Sequence, residues 1–238
     1  MKSRRPQRAP RAAPAARGRA TVARPSRHPL PGIPHTAEVF VPQAYEPGYP
    51  YPLLVWLPDR GGRAFELGRA MARVSLRNFI AVEPVGTTAE ADCGEAVWDA
   101  IEAVRERLSV HADRVYLVGV GAGGTQAFRI ACRQPEVFAG VVSLGGGFPL
   151  DEGLFARVAP LRRLPMLLCC RRDDDAAARV GIDRTLRLFH AAGATLALRM
   201  YPGCAPLSQP VLADVNRWLM EDICGPATPQ PAACGLDP

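Results

Sequence analysis

Three places in this chain bring together residues or backbone with a capacity for chemistry, and each follows a short apolar run. After Val115–Val118 comes Gly119-Val120-Gly121-Ala122-Gly123-Gly124-Thr125. After Met166–Cys170 come three consecutive acids, Asp173, Asp174 and Asp175, and after Leu196–Tyr201 come Cys204 and Ala205. A strand, a tight glycine turn and a helix aim backbone N–H groups at whatever lies above the turn. Gly119, Gly121 and Gly124 match G-x-G-x-x-G, the spacing that lets a dinucleotide pyrophosphate approach a helix N-terminus. That chemistry requires the motif to open the first βαβ unit and an acid about 20 residues on to hold the ribose hydroxyls. Here three strand-like runs precede the glycines, and the next run, Gly140–Leu144, carries no carboxylate. The spacing alone is a weak argument for nucleotide binding.

The same stretch also fits G-x-S-x-G, the nucleophile elbow, with glycine in the serine's place. From about Ala37 to Cys224 the chain resembles the phospholipase/carboxylesterase branch of the α/β-hydrolases. Tyr51-Pro52-Leu53-Leu54-Val55-Trp56-Leu57 resembles the strand that enters the oxyanion loop, and Pro58-Asp59-Arg60-Gly61-Gly62 stands where such enzymes often carry His-Gly-x-Gly-Gly. Gln134–Gly146 resembles the helix end and strand after the elbow. Cys170-Arg171-Arg172-Asp173-Asp174 aligns with the segment bearing the triad acid, and Tyr201-Pro202-Gly203-Cys204-Ala205 aligns with Tyr-Pro-Gly-Gly-His. The resemblance implies an α/β-hydrolase fold, a mostly parallel sheet with helices on both faces. It also places the nucleophile at Gly121, the acid at Asp174 (with Asp173 and Asp175 as alternatives) and the histidine at Ala205. Ala122, Gly61 and Gly62 stand where the oxyanion donors would be.

Acyl transfer in that arrangement needs a hydroxyl, an imidazole to take its proton and a carboxylate to orient the imidazole. Gly121 has no side chain and Ala205 cannot move a proton. The four histidines offer no replacement: His28 lies in the N-terminal stretch, His35 before the first strand, His111 in an expected loop before the glycine turn and His190 within a helix. Thr125, one helical turn beyond Gly121, is expected to point away from the turn. Cys204 borders the missing histidine, and without an imidazole beside it a thiol stays largely protonated near pKa 8.5. The backbone donors could still form a nest for an anion or carbonyl. Glycine also removes the strain that an elbow residue bears. The expectation is a catalytically inactive protein retained for binding or scaffolding. The alternatives are a hydrolase working without the serine and, behind it, a nucleotide-binding protein.

The elements that must position these residues alternate in type, as a parallel sheet with helices on both faces requires. Strand-like runs occur at Glu38–Val41, Leu53–Leu57, Phe79–Val82, Val115–Val118, Gly140–Leu144, Met166–Cys170 and Leu196–Tyr201. Helical patterns occur at Glu90–Leu108, Thr125–Arg133, Ala176–Ala192 and Gln209–Ile223. Ala96, Val97, Ile101, Val104 and Leu108 fall near helical spacing, and Gly193 reads as a helix stop.

Charge divides the chain. The 238 residues carry a net +6, but residues 1–36 hold nine of the 29 basic side chains and no acid, leaving 20 against 23, a net of −3. Those first 36 residues, rich in Arg, Pro and Ala, read as a basic tail with no apolar core to fold around. The tail lacks the apolar stretch of a secretory signal and could tether RNA or an anionic surface by charge alone. Residues 37–224 read as a single domain and 225–238 as a frayed end. Seven cysteines without C-x-x-C spacing read as reduced thiols of a cytoplasmic protein, and Cys169 and Cys170, adjacent on one strand, face opposite ways and share neither metal nor disulfide. No cofactor and no metal is expected.

Overall fold

The computed structural model describes residues 37–59, 65–84, 93–150, 153–173, 176–203 and 205–224. The basic stretch 1–36 and the C-terminal 225–238, both singled out in the sequence, lie outside these. Seven strands form one sheet: β1 (Ala37–Phe40), β2 (Tyr51–Leu57), β3 (Ile80–Pro84), β4 (Val110–Val120), β5 (Gly140–Leu144), β6 (Met166–Arg171) and β7 (Leu196–Tyr201). Their order is β1-β3-β2-β4-β5-β6-β7, and only β1 runs antiparallel, against β3.

The helices are α1 (Leu67–Val74), α2 (Cys93–Arg105), α3 (Ala122–Arg133), α4 (Val158–Leu161), α5 (Ala176–Ala192) and α6 (Gln209–Cys224), with a 3-10 turn at Leu154–Arg157 leading into α4. Sheet faces alternate residue by residue, as the pleat demands. Leu53, Val55 and Leu57 of β2 join one core with Val97, Ile101 and Val104 of α2, Ala127 and Phe128 of α3 and Phe189 of α5. Leu54 and Trp56 join the other with Met71 of α1 and Leu212, Val215 and Leu219 of α6. Burial on both faces explains why the central strands read as unbroken apolar runs. Cys170 falls in the first core and Cys169 in the second, so the two thiols do face opposite ways. Both are buried, as is Cys132.

The differences from the sequence reading lie in the short helices and at the ends of longer elements. Helix α1 is absent from it: Leu67, Ala70, Met71 and Val74 are buried, but eight residues are too few for the periodicity to stand out. Strand β4 is 11 residues long and reaches back to Val110, so His111 lies in a strand and not in a loop. That early part pairs with β2 across a register shift between Tyr51 and Leu53 and stays half-exposed, which hides it from a hydropathy reading. Helix α3 begins at Ala122, three residues before the expected start at Thr125, because the glycines themselves form its first turn. Gly193 does stop α5, at φ +65, with its N–H donating to the His190 carbonyl.

Candidate functional site at the glycine elbow

In an open parallel sheet, ligands gather at the carboxyl ends of the strands where the order of connection reverses. Here the chain leaves β2 for β3 on one side and returns to β4 on the other, so the reversal lies between β2 and β4. The carboxyl end of β2 carries Pro58-Asp59 and that of β4 carries Gly121.

Gly121 has φ +53 and ψ −123, a combination that L side chains rarely adopt. Its N–H donates to the Leu144 carbonyl of β5 at 2.9 Å, and its own carbonyl accepts from the N–H groups of Gly124 and Thr125. The turn is sharp because its neighbours are also glycines. A β-carbon on Gly123 would strike the carbonyl of Leu57, one on Gly119 the carbonyl of Gly123, and one on Gly146 the carbonyl of Gly121. The three backbones of β2, α3 and the loop after β5 touch without side chains between them. The G-x-G-x-x-G residues are each explained locally: Gly119 by its approach to Gly123, Gly121 by its φ and Gly124 by its approach to Ser143. At the helix start, the first N–H groups, Ala122 among them, have no acceptor within the helix.

The loop after β5 is pinned from two directions. Ser143, fully buried, donates to the Gly146 carbonyl at 2.7 Å, and Thr125 donates to the Gly147 carbonyl at 2.9 Å. Phe148 then inserts among Phe128, Phe155 and Phe189, with ring centroids 5.0–5.6 Å apart. Beside this loop lies a cavity of about 160 Å³ bordered by Gly147, Phe148, Leu168, Cys170, Ile182 and Thr185. Thr185 spends its hydroxyl on the Gly181 carbonyl, so the cavity wall is largely apolar.

The two remaining triad positions behave differently. Asp174 lies outside the described residues, as do Gly61, Gly62, Asp175 and Cys204. Asp173, one of the alternative acids, is described: its Oδ2 accepts the backbone N–H of Gly203 at 2.9 Å. The loops after β6 and β7 are thereby tied together, and this tie holds the segment that carries Ala205. Ala205 is exposed, and its carbonyl accepts from Ser208 N–H just before α6. The structure thus carries Gly121, Asp173 and Ala205 on three loops at the same carboxyl edge.

Two arrangements escaped the sequence reading. The first is Asp59. A β-carbon built on Gly121 would lie 2.5 Å from Asp59 Oδ2 and 2.7 Å from its Cγ. The β2–β4 register explains this: Leu57 pairs with Gly119, so two residues further each strand delivers Asp59 opposite Gly121. The second is a part-buried polar chain on the α6 side. Tyr201 donates to Asp214 Oδ2 at 3.0 Å, Asp214 pairs with Arg217 at 2.9 Å, and Cys169 lies in hydrogen-bond contact with Tyr201. Burial pushes the Cys169 thiol up to about 12. Burial, then the neighbouring Cys169 and Asp214, holds the Tyr201 phenol well above its usual range. Register and helix packing bring these groups together, and no local motif announces either set.

Structural comparison decides the fold. A thermostable esterase superposes with a TM-score of 0.58 over 78% of this chain and 58% of its own length, at 17% identity. The fluorophosphonate-binding serine hydrolase FphF of Staphylococcus aureus, solved with substrate bound, superposes with a TM-score of 0.61 over 79% of this chain and 91% of its own, at 13% identity. The fold is that of the α/β-hydrolases. Within this α/β-hydrolase framework, a protein of Nocardia uniformis subsp. tsuyamanensis named as an esterase, NocK, is 35% identical over 79 residues. That match takes in 33% of this chain and 21% of the Nocardia protein. No family model matches the chain. Among the described residues, no group of three or more His, Cys, Asp or Glu is placed to hold a metal ion, and no helix is long and apolar enough to cross a membrane.

Proposed function

We propose that this α/β-hydrolase-fold protein is an esterase relative that no longer hydrolyses esters and is retained for binding. The observation that carries the proposal is Gly121. It combines the strained turn of an elbow, φ +53 at the strand–helix junction, with no side chain to use there. An elbow without a hydroxyl forms no acyl-enzyme, and Ala205 in the loop after β7 supplies no base. Backbone N–H groups at the start of α3 remain because the packing needs the turn, so they do not argue for turnover.

The binding reading draws on the apolar cavity beside the elbow. About 160 Å³ is room for a short hydrocarbon or a single ring, with no charged group among the residues that border it. The basic N-terminal residues add a second, separable contact, an electrostatic tether to RNA or to an anionic surface.

Hydrolysis of p-nitrophenyl acetate and butyrate tests the first part. The expected result is no saturable turnover above an albumin control and no labelling by a fluorophosphonate. A second reading, hydrolysis without the serine, draws on the Asp59 carboxylate at the elbow tip, which could serve as a base for water. Saturable turnover abolished by Asp59→Asn would establish that reading and sink the first.

A further inference from the structure

We propose that the Asp59 carboxylate holds the place of the lost nucleophile and closes the elbow to ester and carboxylate groups. Gly121 and Asp59 form a matched pair in this arrangement. A β-carbon at position 121 would fall 2.5 Å from Oδ2, 2.7 Å from Cγ and 3.1 Å from Cβ of Asp59, closer than non-bonded carbons and oxygens approach. A side chain at 121 would require the Asp59 carboxylate to turn out of this position. Glycine at 121 therefore does more than remove a hydroxyl: it opens the volume that the carboxylate fills.

Electrostatics favours the same arrangement. The partial positive charge of a helix start stabilises an anion, and α3 has no acidic residue of its own in its first turn. Asp59 reaches that helix start from the end of β2, placed by the register that sets Leu57 opposite Gly119. The consequence is a change in what the cleft accepts. An ester carbonyl or a carboxylate brought to the elbow would meet a negative oxygen where a hydrolase offers a nucleophilic hydroxyl. The cleft is left to ligands that do not present an acceptor there. The inference builds on the non-hydrolytic reading, but it concerns a contact, and that contact can be measured without any ligand.

A double-mutant cycle in chemical denaturation provides the measurement, with wild type, Gly121→Ala, Asp59→Ala and the double variant. The strain of φ +53 is paid whether or not Asp59 is present, so it cancels in the cycle, and the coupling reports the clash. Expected is a coupling of about twofold or more in the folding equilibrium constant, as for residues in direct contact, with Asp59→Ala relieving Gly121→Ala. Additive effects would overturn the proposal. If Gly121→Ala alone does not fold, recovery of folded protein in the double variant reports the same coupling, and failure to recover counts against it. A functional arm uses Gly121→Ser with Ala205→His. Fluorophosphonate labelling is expected only once Asp59→Ala is added, and equal labelling with Asp59 in place would overturn the proposal. Ester turnover by the wild type would strike the non-hydrolytic reading and leave the cycle intact, so the two failures are separable.

Discussion

Gly121 concentrates the residue-scale argument, because its backbone keeps a conformation that only function or glycine explains. At φ +53, Gly121→Ala and Gly121→Ser should each destabilise the fold by at least about 1–3 kcal/mol through strain alone. Urea titration checks this, and two neutral substitutions would show that residue 121 is not in an elbow conformation. The cysteines give a second residue-scale prediction. Burial raises Cys132 and Cys169 from an ordinary value of 9.0 to about 12. Their neutral form is favoured in the folded chain, so the stability they contribute is complete below pH 9.0. It is lost as pH rises towards 12, because the unfolded chain ionises its thiols first. Native protein at pH 8 should leave Cys132, Cys169 and Cys170 unmodified by iodoacetamide, while denatured protein should react at all three. Mass spectrometry of the alkylated peptides distinguishes these outcomes.

At the scale of elements, the elbow depends on backbone touching backbone. Helix α3 sits so close to β2 that a β-carbon on Gly123 would meet the Leu57 and Pro58 carbonyls. Gly123→Ala should push α3 off the sheet and lower stability by about 1–3 kcal/mol, the usual effect of overpacking, whereas Gly94→Ala, with open space around it, should not. Thermal melts of the two variants side by side make the comparison. On the other face, Tyr201 joins β7 to α6 through Asp214. Removing the phenol in Tyr201→Phe breaks that bond and should destabilise by about 1 kcal/mol, and the half-exposed Asp214 keeps Arg217 as its partner. A neutral Tyr201→Phe in urea titration would show that the chain of polar groups contributes nothing to docking α6.

Over the whole molecule, charge is unevenly distributed along the sequence. The basic side chains of residues 1–36 outnumber its acids nine to none, while the rest carries a net −3. Among the described residues, the core forms two layers, one on either face of the sheet. Deleting residues 1–36 should therefore shift the melting temperature little and remove salt-sensitive binding to RNA or anionic vesicles. Filter binding at low and moderate salt, together with a thermal melt, tests both halves. A large drop in melting temperature would mean that the segment packs on the domain.

The sequence by itself determined the succession of strands, because central strands buried on both faces leave apolar runs such as Leu53–Leu57 and Val115–Val118 that no solvent-facing segment imitates. It also placed Gly121 and Ala205 at the elbow and in the loop after β7, since turn residues keep their chemistry in a local string. Helix α1 and the start of β4 stayed illegible, one too short for its period and the other too exposed. Only the tertiary structure decided which distant groups meet. Asp59 opposite Gly121, Asp173 on the Gly203 N–H and Cys169 beside Tyr201 are matters of strand register and of neighbouring loops. A register shift of one residue would turn every side chain to the other face. The local sequence fixes which residues a strand carries, and the packing of the whole sheet fixes which of them stand across from one another.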